Sequence, residues 1–475
     1  MKNKENNLKH QEEKNNSKND NAENLPRIEK NADADINSFN GNGKHKQDFP
    51  LKKFLFVSWE SLSGDLAYQI KKEGHEVKIY VKAESDKDVY EGFLDRVDNW
   101  KEHVNWADVV VFDDIGFGNI ADSLRASGKL VIGGSKYTDR LEEDREFSQS
   151  EMKRVGMSVL THYDCTSFDE AISFIKENPG RYVFKPSGNT SSEQKGILFM
   201  AQEDDGKDLI EILELNKNLW AKKLKRFQLQ KMAVGVEVAV GAFFNGEDFI
   251  YPINVNFEHK KLFPGDIGPY TGEMGTTMYW SPPNEIFNST LLKIKENLKD
   301  SGYVGYIDIN CIANAKGIFP LEFTTRFGYP TISIQIEGVL SEWGEFLYKI
   351  ANKEKFDLKT KKGFQIGVCV VVPPFPFDDK KEMSIYKDLS ILFKKPNLEG
   401  IHLGDIKMIN GVWTIAGESG YALVVTGSGI TLDDARKQAY GRLKNILLQN
   451  MYYRTDIGAK WGIESDKLHT WGYIY

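Results

Sequence analysis

An alternation of short apolar runs with helical patterns begins at residue 52 and places the strongest limit on the fold. Strand-like runs at 52–58 (KKFLFVS), 75–82 (HEVKIYVK), 107–114 (ADVVVFDD) and 130–134 (LVIGG) are separated by segments with helical spacing. Such alternation predicts a doubly wound parallel sheet with helices on both faces. We expect this N-terminal α/β domain to cover residues 52–136. The turn after its first strand has no G-x-G-x-x-G, so the dinucleotide-binding fingerprint is absent.

The amino-acid composition and net charge limit the size of the core and the kinds of partner that the protein can bind. The 475 residues are 40% hydrophobic and 12% aromatic, which is enough for a large core in more than one packed unit. The net charge of -7 gives no broad basic surface for nucleic acid. No apolar run approaches the roughly 20 residues of a membrane-spanning helix. Three scattered cysteines fit neither a disulfide framework nor a zinc site. We therefore expect a soluble cytoplasmic protein, a monomer or dimer, with no nucleic-acid or membrane partner.

The first 48 residues differ in composition from the rest of the chain. They consist mainly of Asn, Lys, Glu and Asp, with almost no apolar side chains to bury. Such a segment cannot offset the entropy lost on ordering, so we predict a disordered polar tail over residues 1–48. The segment also lacks the apolar core of a secretory signal.

A lysine-flanked hairpin is predicted at residues 181–200 (RYVFKPSGNTSSEQKGILFM). A β-type run delivers Lys185 into a loop of Ser, Gly, Asn and Thr, and the chain leaves through Lys195 into a second β-type run. This segment alone leaves two interpretations open. It is either an ordinary solvated hairpin or an amide-rich tip whose two ammonium groups cover a polyphosphate.

Acidic residues stand on otherwise apolar predicted strands. Glu237 lies in the β-rich segment 227–249, where a carboxylate needs a partner such as ribose hydroxyls. Residues 303–330 predict two strands joined by an N-A-K-G turn, which puts Asp308 and Glu322 on one face.

Two facing carboxylates repel each other unless a cation lies between them. Mg²⁺ prefers oxygen ligands and is usually shared with substrate phosphates, so it suits Asp308 and Glu322, with Thr324 facing the same way. Arg326 follows within reach of the same phosphates. For either carboxylate alone, a solvated acid at a sheet edge remains the alternative.

Three segments of this sequence resemble the ATP-grasp enzymes and, among them, the glycinamide ribonucleotide synthetase (phosphoribosylamine-glycine ligase) family. Residues 259–275 (HKKLFPGDIGPYTGEMG), which read as a loop, are similar to H-K-R-x-x-D-x-D-x-G-P-N-T-G-G-M-G. Residues 321–330 (LEFTTRFGYP) are similar to E-F-N-x-R-F-G-D-P. Residues 431–443 and 451–458 (MYYRTDIG) are similar to the family's last helix and its closing Y-R-x-D-I-G. The resemblance covers roughly residues 52–460.

The resemblance implies an ATP-grasp fold, in which α/β and α+β units are combined. It implies a two-lobed ATP-binding domain over residues 137–355, with a lid subdomain at about 160–235. A small C-terminal α+β domain is expected over residues 360–460. Residues 461–475 are then a C-terminal extension.

The family reaction implies a set of roles for residues of this chain. ATP activates a small-molecule carboxylate as an acyl phosphate, and an amine captures it to give an amide; in the family the substrates are glycine and phosphoribosylamine, in purine biosynthesis. The implied cofactors are ATP and Mg²⁺ or Mn²⁺.

The resemblance also implies roles for particular residues. The implied ATP contacts are Lys185, Lys195, Lys231 and Glu237. The implied catalytic residues are Arg326 and Lys195, and the implied metal ligands are Asp308, Glu322 and Thr324. The implied substrate loop comprises Lys260, Asp266, Gly268, Thr271, Gly272 and Gly275. Backbone N–H groups of this loop can bind a carboxylate or acyl phosphate, and its closure keeps water away.

Departures from the family pattern concentrate on the acceptor side. Thr324 replaces an Asn, Tyr270 replaces an Asn, Glu273 replaces a Gly, and Tyr329 replaces an Asp. The loops at 59–67 and 113–119 are also not those of the family. Three hypotheses remain open: a ligase with the family's own substrates, the same chemistry on another amine or amino acid, and a nucleotide-binding or regulatory protein without turnover.

Overall fold

The first sheet of the computed structural model is parallel, as the alternating pattern predicts. The structure describes residues 49–187 and 197–475. The strands of this sheet are β1 (Lys53–Ser58), β2 (Glu76–Val81), β3 (Asp95–Arg96), β4 (Val109–Phe112) and β5 (Leu130–Ile132). Their order is β3-β2-β1-β4-β5, and all neighbours run parallel. The order reverses between β1 and β4, which opens a crevice at their carboxyl ends.

Helices and short turns connect these strands and lead to the next unit. Helix α1 (Gly64–Lys72) buries Leu66, Ala67 and Ile70, whose spacing makes one apolar face. The other helices of this region are α2 (Gly118–Ala126), α3 (Lys136–Glu143) and α4 (Arg145–Arg154). The 3-10 turns lie at Glu84–Asp86 and Trp100–His103.

A second, antiparallel sheet has the strand order β6-β9-β7-β8. Its strands are β6 (His162–Cys165), β7 (Tyr182–Pro186), β8 (Phe199–Met200) and β9 (Phe227–Lys231). Helices α5 (Phe168–Glu177) and α6 (Lys207–Trp220) pack against it through an aromatic-rich core. Strands β7 and β8 pair antiparallel, as the predicted hairpin requires. Lys195 lies outside the described residues.

The third sheet is large and positions most of the candidate site. Its order is β16-β15-β10-β11-β14-β17-β22-β19. The strands are β10 (Val236–Phe244), β11 (Phe249–Glu258), β14 (Gly275–Ser281), β15 (Gly305–Asn314), β16 (Gly317–Thr324), β17 (Phe364–Val371), β19 (Ile401–Leu403) and β22 (Tyr421–Gly429). Strands β17, β19 and β22 come from the segment predicted as a C-terminal domain, so this sheet crosses the expected boundary at about residue 360.

The remaining elements frame this sheet. Helices α7 (Glu285–Ser289) and α8 (Lys295–Asp300) flank the 3-10 turn Leu291–Ile294. They are followed by α9 (Thr331–Gly338), α10 (Trp343–Ala351), α11 (Lys380–Tyr386), α12 (Leu432–Leu443) and α13 (Trp461–Thr470). A small sheet, ordered β20-β21-β18-β23, contains β18 (Ser390–Phe393), β20 (Ile406–Ile409), β21 (Val412–Ile415) and β23 (Ile446–Leu447).

The segment predicted as a loop at 259–275 contains a hairpin. Strands β12 (Lys261–Phe263) and β13 (Ile267–Tyr270) pair antiparallel. Asp266 and Gly268 have φ of 55° and 85°, which lets the chain turn tightly between and within the strands. The expectation of an irregular loop is therefore wrong over residues 261–270, because the glycines serve a turn as well as exposing amide groups.

Residues Leu51–Tyr475 make one compact unit, and in the other unit, Met1–Pro50, only Phe49 and Pro50 are described. The predicted tail at 1–48 lies outside the described residues. Within residues 49–187 and 197–475, no helix is both long and apolar enough to cross a membrane. All three cysteines are buried and free.

Candidate functional site

One face of the eight-stranded sheet is polar on the edge strand β16 and on its neighbour β15. In the register of β15 and β16, Asp308 lies opposite Thr324 and Asn310 lies opposite Glu322. Because paired residues share a face, all four side chains project from the same side. Asp308 and Glu322 are therefore diagonal neighbours. The opposite face carries Ile307, Ile309 and Cys311, which are buried in an apolar core.

Lys260 connects three carboxylates on this polar face. Its Nζ lies 2.9 Å from Glu237 Oε1, 3.4 Å from Glu258 Oε2 and 3.7 Å from Glu322 Oε1. Burial disfavours the charge on Lys260, yet Glu258, Glu237 and Glu322 together raise its pKa well above the ordinary value. Asn310 Nδ2 donates to Glu258 Oε1 at 3.4 Å, which joins this cluster to strand β15.

The polar face keeps buried oxygen atoms available for a ligand. Asp308 is 3% exposed, and its Oδ1 and the Oδ1 of Asn310 accept no hydrogen bond from the described residues. Burial and then the charge of Glu258 raise the pKa of Asp308 well above its ordinary value, although a hydrogen bond with Thr324 opposes this. A nearby cation stabilises the charged form of a buried carboxylate of this kind.

This donor set fits a metal ion that is shared with substrate. In the described part of the chain, no group of three His, Cys, Asp or Glu side chains is arranged to hold a metal by itself. Mg²⁺ does not need such a cage, because it is commonly held by one or two carboxylates with substrate phosphates and water. The unpartnered oxygens of Asp308 and Asn310, next to Glu322, meet that requirement.

Two further cationic side chains lie near the acidic cluster, one on the second sheet and one on α4. Lys185 on β7 donates from Nζ to Gln230 Oε1 at 2.7 Å. Burial, and then the nearby positive charge of Arg145, lowers the pKa of Lys185 to about 8. A cavity is lined by Arg145 of α4, Ser187 beyond β7 and Glu322 of β16. Lys185 and Arg145 thus add two cations beside Glu322, next to the cluster that already contains Lys260.

Arg326 lies where the large sheet meets the crevice of the parallel sheet. Its Nε is 3.1 Å from Glu142 Oε1 and 3.5 Å from Asp114 Oδ1. Glu142 also accepts the N–H of Thr325 at 2.6 Å, which fixes the backbone before Arg326. Burial raises the pKa of Asp114 to about 7, with Arg326 opposing the shift. The guanidinium is therefore held between the acidic cluster and the carboxyl ends of β1 and β4.

The predicted substrate loop is anchored to the last part of the chain. Arg454, which is 0% exposed in its side chain, places Nη1 2.9 Å from Asp266 Oδ1. Lys460 also contacts Asp266. Thr271 Oγ1 donates to the carbonyl of Lys260 at 2.9 Å. A side chain at Gly275 would meet the Gly367 carbonyl at 2.5 Å, so that glycine permits close packing of two strands. Gly272 has open space where a side chain would stand.

Tyr270 and Glu273, two residues that differ from the family pattern, lie in different surroundings. Tyr270 lines a cavity with Glu237, Lys260 and Met200, and Lys261 Nζ lies 3.6 Å from the centre of its ring. Glu273 is 6% exposed, and burial and then Glu258 raise its pKa well above the ordinary value. Tyr270 is thus a cavity-wall residue, and Glu273 is a buried carboxyl behind the acidic cluster.

The structure separates one predicted site residue from Lys185 and adds residues that sequence reasoning missed. Lys231, expected as an ATP contact, is exposed and pairs with Tyr182, so it lies on the opposite face of the sheet from Lys185 and Gln230. The residues missed are Glu258, Arg145, Glu142 and Asp114. Glu258 has a sequence signal, because it alternates with Asn254 and Asn256 along β11 and marks a polar face. The positions of the other three depend on packing between distant segments.

Comparison with known proteins finds similar sequences and similar folds. Residues 143–332 match the ATP-grasp (A) domain of phosphoribosylglycinamide synthetase. A phosphoribosylamine–glycine ligase of Clostridium acetobutylicum is 24% identical over 352 residues, or 71% of this chain and 81% of that protein. The structure of phosphoribosylamine–glycine ligase from Thermotoga maritima aligns with a TM-score of 0.65 at 21% identity, over 86% of this chain and all (100%) of that one. Biotin carboxylase from Campylobacter jejuni aligns with a TM-score of 0.60 at 13% identity, over 90% of this chain and 98% of that one.

The two-lobed site and these similarities define the class of fold: the protein has the ATP-grasp fold, and residues 143–332 match an ATP-grasp domain. Within that class it resembles the phosphoribosylamine–glycine ligases, whose ATP-grasp domain residues 143–332 match. The resemblance predicted from the sequence motifs is therefore confirmed.

Proposed function

We propose that the protein is an ATP-dependent carboxylate–amine ligase that works through an acyl phosphate. One observation carries this proposal: Lys185 on the second sheet and Arg145 on α4 lie close to Glu322, beside Lys260 and Glu237 of the large sheet. Neighbouring cations and carboxylates suit a nucleotide triphosphate with its metal ion. The names of the curated relatives support the same reaction class.

Side chains of this protein position the phosphates of ATP and stabilise the charge that develops during phosphoryl transfer. Lys185 and Arg145 bind phosphate oxygens of ATP, and the fixed fork of Arg326 stabilises charge that develops as the γ-phosphoryl group moves to the carboxylate. Asp308, Glu322 and Thr324 would hold Mg²⁺ or Mn²⁺, with Asn310 nearby. The ion, when bound, neutralises phosphate charge and orients the transferring group.

The hairpin at 261–270 covers the cavity beside these groups. Glu237 and Tyr270 line that cavity together with Lys260. Backbone N–H groups of the following segment can bind the carboxylate, and closure excludes water that would hydrolyse an acyl phosphate. Among the predicted loop residues, Asp266 fixes the hairpin to Arg454, while Thr271, Gly268, Gly272 and Gly275 shape its backbone.

A second candidate is the same chemistry on an amine other than phosphoribosylamine. The specific observation is the crevice at the carboxyl ends of β1 and β4, where Asp113 and Asp114 stand beside Arg326. Buried acids there disfavour a phosphate-bearing amine through like-charge repulsion. We propose a small-molecule carboxylate and amine as substrates in either case, and a cytoplasmic site of action.

Replacement of Glu322 by Gln tests the proposed function. The variant removes a charge while keeping the shape, so we expect near-normal folding and a loss of ADP formation of roughly 100-fold or more. Glu211→Gln, on an exposed position of α6, is the matched control. ADP formation by Glu322→Gln at the wild-type rate would refute the assignment.

A further inference from the structure

A second large cavity lies at the carboxyl end of β1, away from the lysines of the nucleotide site. Its volume is about 600 Å³. Its charged lining consists of Glu60, Asp86, Asp378, Asp405, Glu418 and Lys380. Lys380 is at the rim, because its side chain is 82% exposed, and its Nζ lies 2.9 Å from Glu418 Oε2. Acidic groups therefore dominate the interior.

Two hydroxyl groups in the lining are available to a ligand. Ser61 is 2% exposed, and its Oγ makes no hydrogen bond with any residue the structure describes. Its backbone is already fixed, since its N–H donates to Ser58 Oγ at 2.8 Å and its carbonyl accepts from Tyr90 Oη at 2.7 Å. The buried hydroxyl of Tyr329 also has no partner in the described ranges. Buried hydroxyls of this kind are costly unless a bound molecule satisfies them.

The carboxyl groups of this cavity repel one another. Burial, followed by the charges of Glu60, Asp88 and Glu418, raises the pKa of Asp86 to about 6. Burial and then Asp86 raise the pKa of Asp405 well above its ordinary value, although the Ser419 hydroxyl opposes this. A cation would relieve this repulsion, whereas a phosphate would add to it.

The occupant suited to this cavity is an organic cation. The acids are not grouped for a metal ion, since residues 49–187 and 197–475 contain no cluster of three such ligands. An aromatic wall also stands beside them: the rings of Tyr329 and Tyr421 are 4.6 Å apart, and Phe375 packs 5.5 Å from Tyr421. Aromatic faces bind ammonium groups and the methylene chains that carry them.

Two segments that line the cavity are close in the chain or in the sheet to the residues around Arg326. Tyr329 lies three residues after Arg326, in the turn that leads into α9. Glu60 and Ser61 follow β1, whose neighbour β4 leads to Asp114, 3.5 Å from Arg326. Two of the chain segments that line the cavity therefore lead toward the guanidinium that we assign to the acyl-phosphate step.

We propose that this cavity selects the acceptor, and that the acceptor is a small aliphatic amine carrying a second cationic group. This inference rests on the proposed ligase function. The second cation stays among Asp86, Asp405 and Glu418. The neutral form of the other nitrogen attacks the acyl carbonyl carbon, so the C–N bond forms, the C–O bond to phosphate breaks, and inorganic phosphate leaves. The nitrogen then releases its extra proton to solvent.

Calorimetric titration of the full chain tests the selectivity of the cavity without turnover. The probes are 1,4-diaminobutane, butylamine and O-phosphoethanolamine. We expect the diamine to bind at least about tenfold more tightly than butylamine and the phosphorylated amine to show no binding, with the preference falling as salt rises. Equal affinity for diamine and butylamine, or tight binding of O-phosphoethanolamine, would overturn the proposal.

Variants locate the binding and separate this proposal from the ligase assignment. Asp405→Asn and the rim variant Glu418→Gln should each weaken diamine binding at least about fivefold, while Glu211→Gln should not; unchanged binding in both cavity variants would overturn the proposal. ATP titration is done in parallel. If the protein does not bind ATP but still prefers the diamine, the ligase function alone is rejected. If ADP forms with O-phosphoethanolamine but not with the diamine, the cavity assignment alone is rejected.

Discussion

Lys260 Nζ lies 2.9 Å from Glu237 Oε1, so an ammonium group already occupies part of the acidic surface that we assign to nucleotide and metal. Glu258 and Glu322 share the same ammonium. This ammonium thereby holds a cluster of carboxylates together. A buried or half-buried carboxylate without a cation is unfavourable, so this lysine supports the site's structure as well as its chemistry.

Replacement of Lys260 by Met should destabilise the protein by about 2 kcal/mol, because three carboxylates lose their shared cation. Added Mg²⁺ should raise the melting temperature of this variant more than that of the wild type, since the ion can take over the vacated charge. Thermal unfolding with and without 10 mM MgCl₂ measures both effects. Lys261→Met, at the neighbouring position, is the control, and an equal Mg²⁺ response in all three proteins would contradict the arrangement.

The anchoring of the hairpin by Arg454 gives a second prediction. Arg454 is fully buried and bonds to Asp266, Asp456 and the carbonyl of Lys261. Arg454→Met should lower the free energy of unfolding by about 3–5 kcal/mol, because it leaves buried acceptors without a partner. Lys460→Met removes the exposed contact to the same Asp266 and should cost less than about 1 kcal/mol. Urea unfolding measures the free energy of unfolding of both variants. Equal decreases would show that the burial of Arg454 does not determine the stability of the hairpin anchor.

A pH dependence follows from Asp114. Burial raises its pKa to about 7, and the unfolded chain has the ordinary value near 4. Between these values the folded protein binds the proton more strongly, so this group's stabilising contribution is fully present below pH 4 and is lost as pH rises through 7. Asp114→Asn should therefore raise stability at pH 8 by roughly 2–4 kcal/mol relative to the wild type, with little change at pH 4. Urea unfolding at the two pH values checks this, and an equal effect at both would exclude the assigned titration.

The role of Tyr270 is testable through the cavity it lines with Lys260 and Glu237. Tyr270→Asn enlarges that cavity without touching the buried acid at Glu273. We expect a severalfold change in the Michaelis constant of one substrate and a smaller change in ATP affinity. Steady-state kinetics of Tyr270→Asn and Tyr270→Phe measure it. If Tyr270→Phe behaves like Tyr270→Asn, the hydroxyl rather than the ring is responsible.

The repeated elements of this fold were readable from sequence because each has a local period. The parallel sheet follows from apolar runs such as β1 and β4, and the shared face of Asp308 and Glu322 follows from the period of two along β15 and β16. Lys231 shows the limit of local reasoning. It is in the expected strand, but it is one residue away from Gln230, so its side chain projects from the face opposite to that of Lys185.

Contacts between distant segments could not be read in the same way. The pairing of Arg326 with Glu142 and Asp114 depends on how the parallel sheet packs against the large sheet. No spacing in the sequence encodes that orientation. The hairpin at 261–270 was missed for a different reason, since proline and glycine at 264–269 suit both a turn between strands and an irregular loop.

Oxygen transfer from carboxylate to phosphate is the most direct test of the central claim. The full-length protein is incubated with ATP, Mg²⁺, pooled amino acids and short carboxylic acids labelled with ¹⁸O in the carboxyl group, and pooled amines that include phosphoribosylamine and 1,4-diaminobutane. An acyl phosphate leaves one carboxyl oxygen on inorganic phosphate when the amine attacks, so we predict ADP formation accompanied by ¹⁸O-labelled phosphate, detected by mass spectrometry. ADP formation with unlabelled phosphate, or ATP binding without any ADP formation in the complete mixture, would contradict the account.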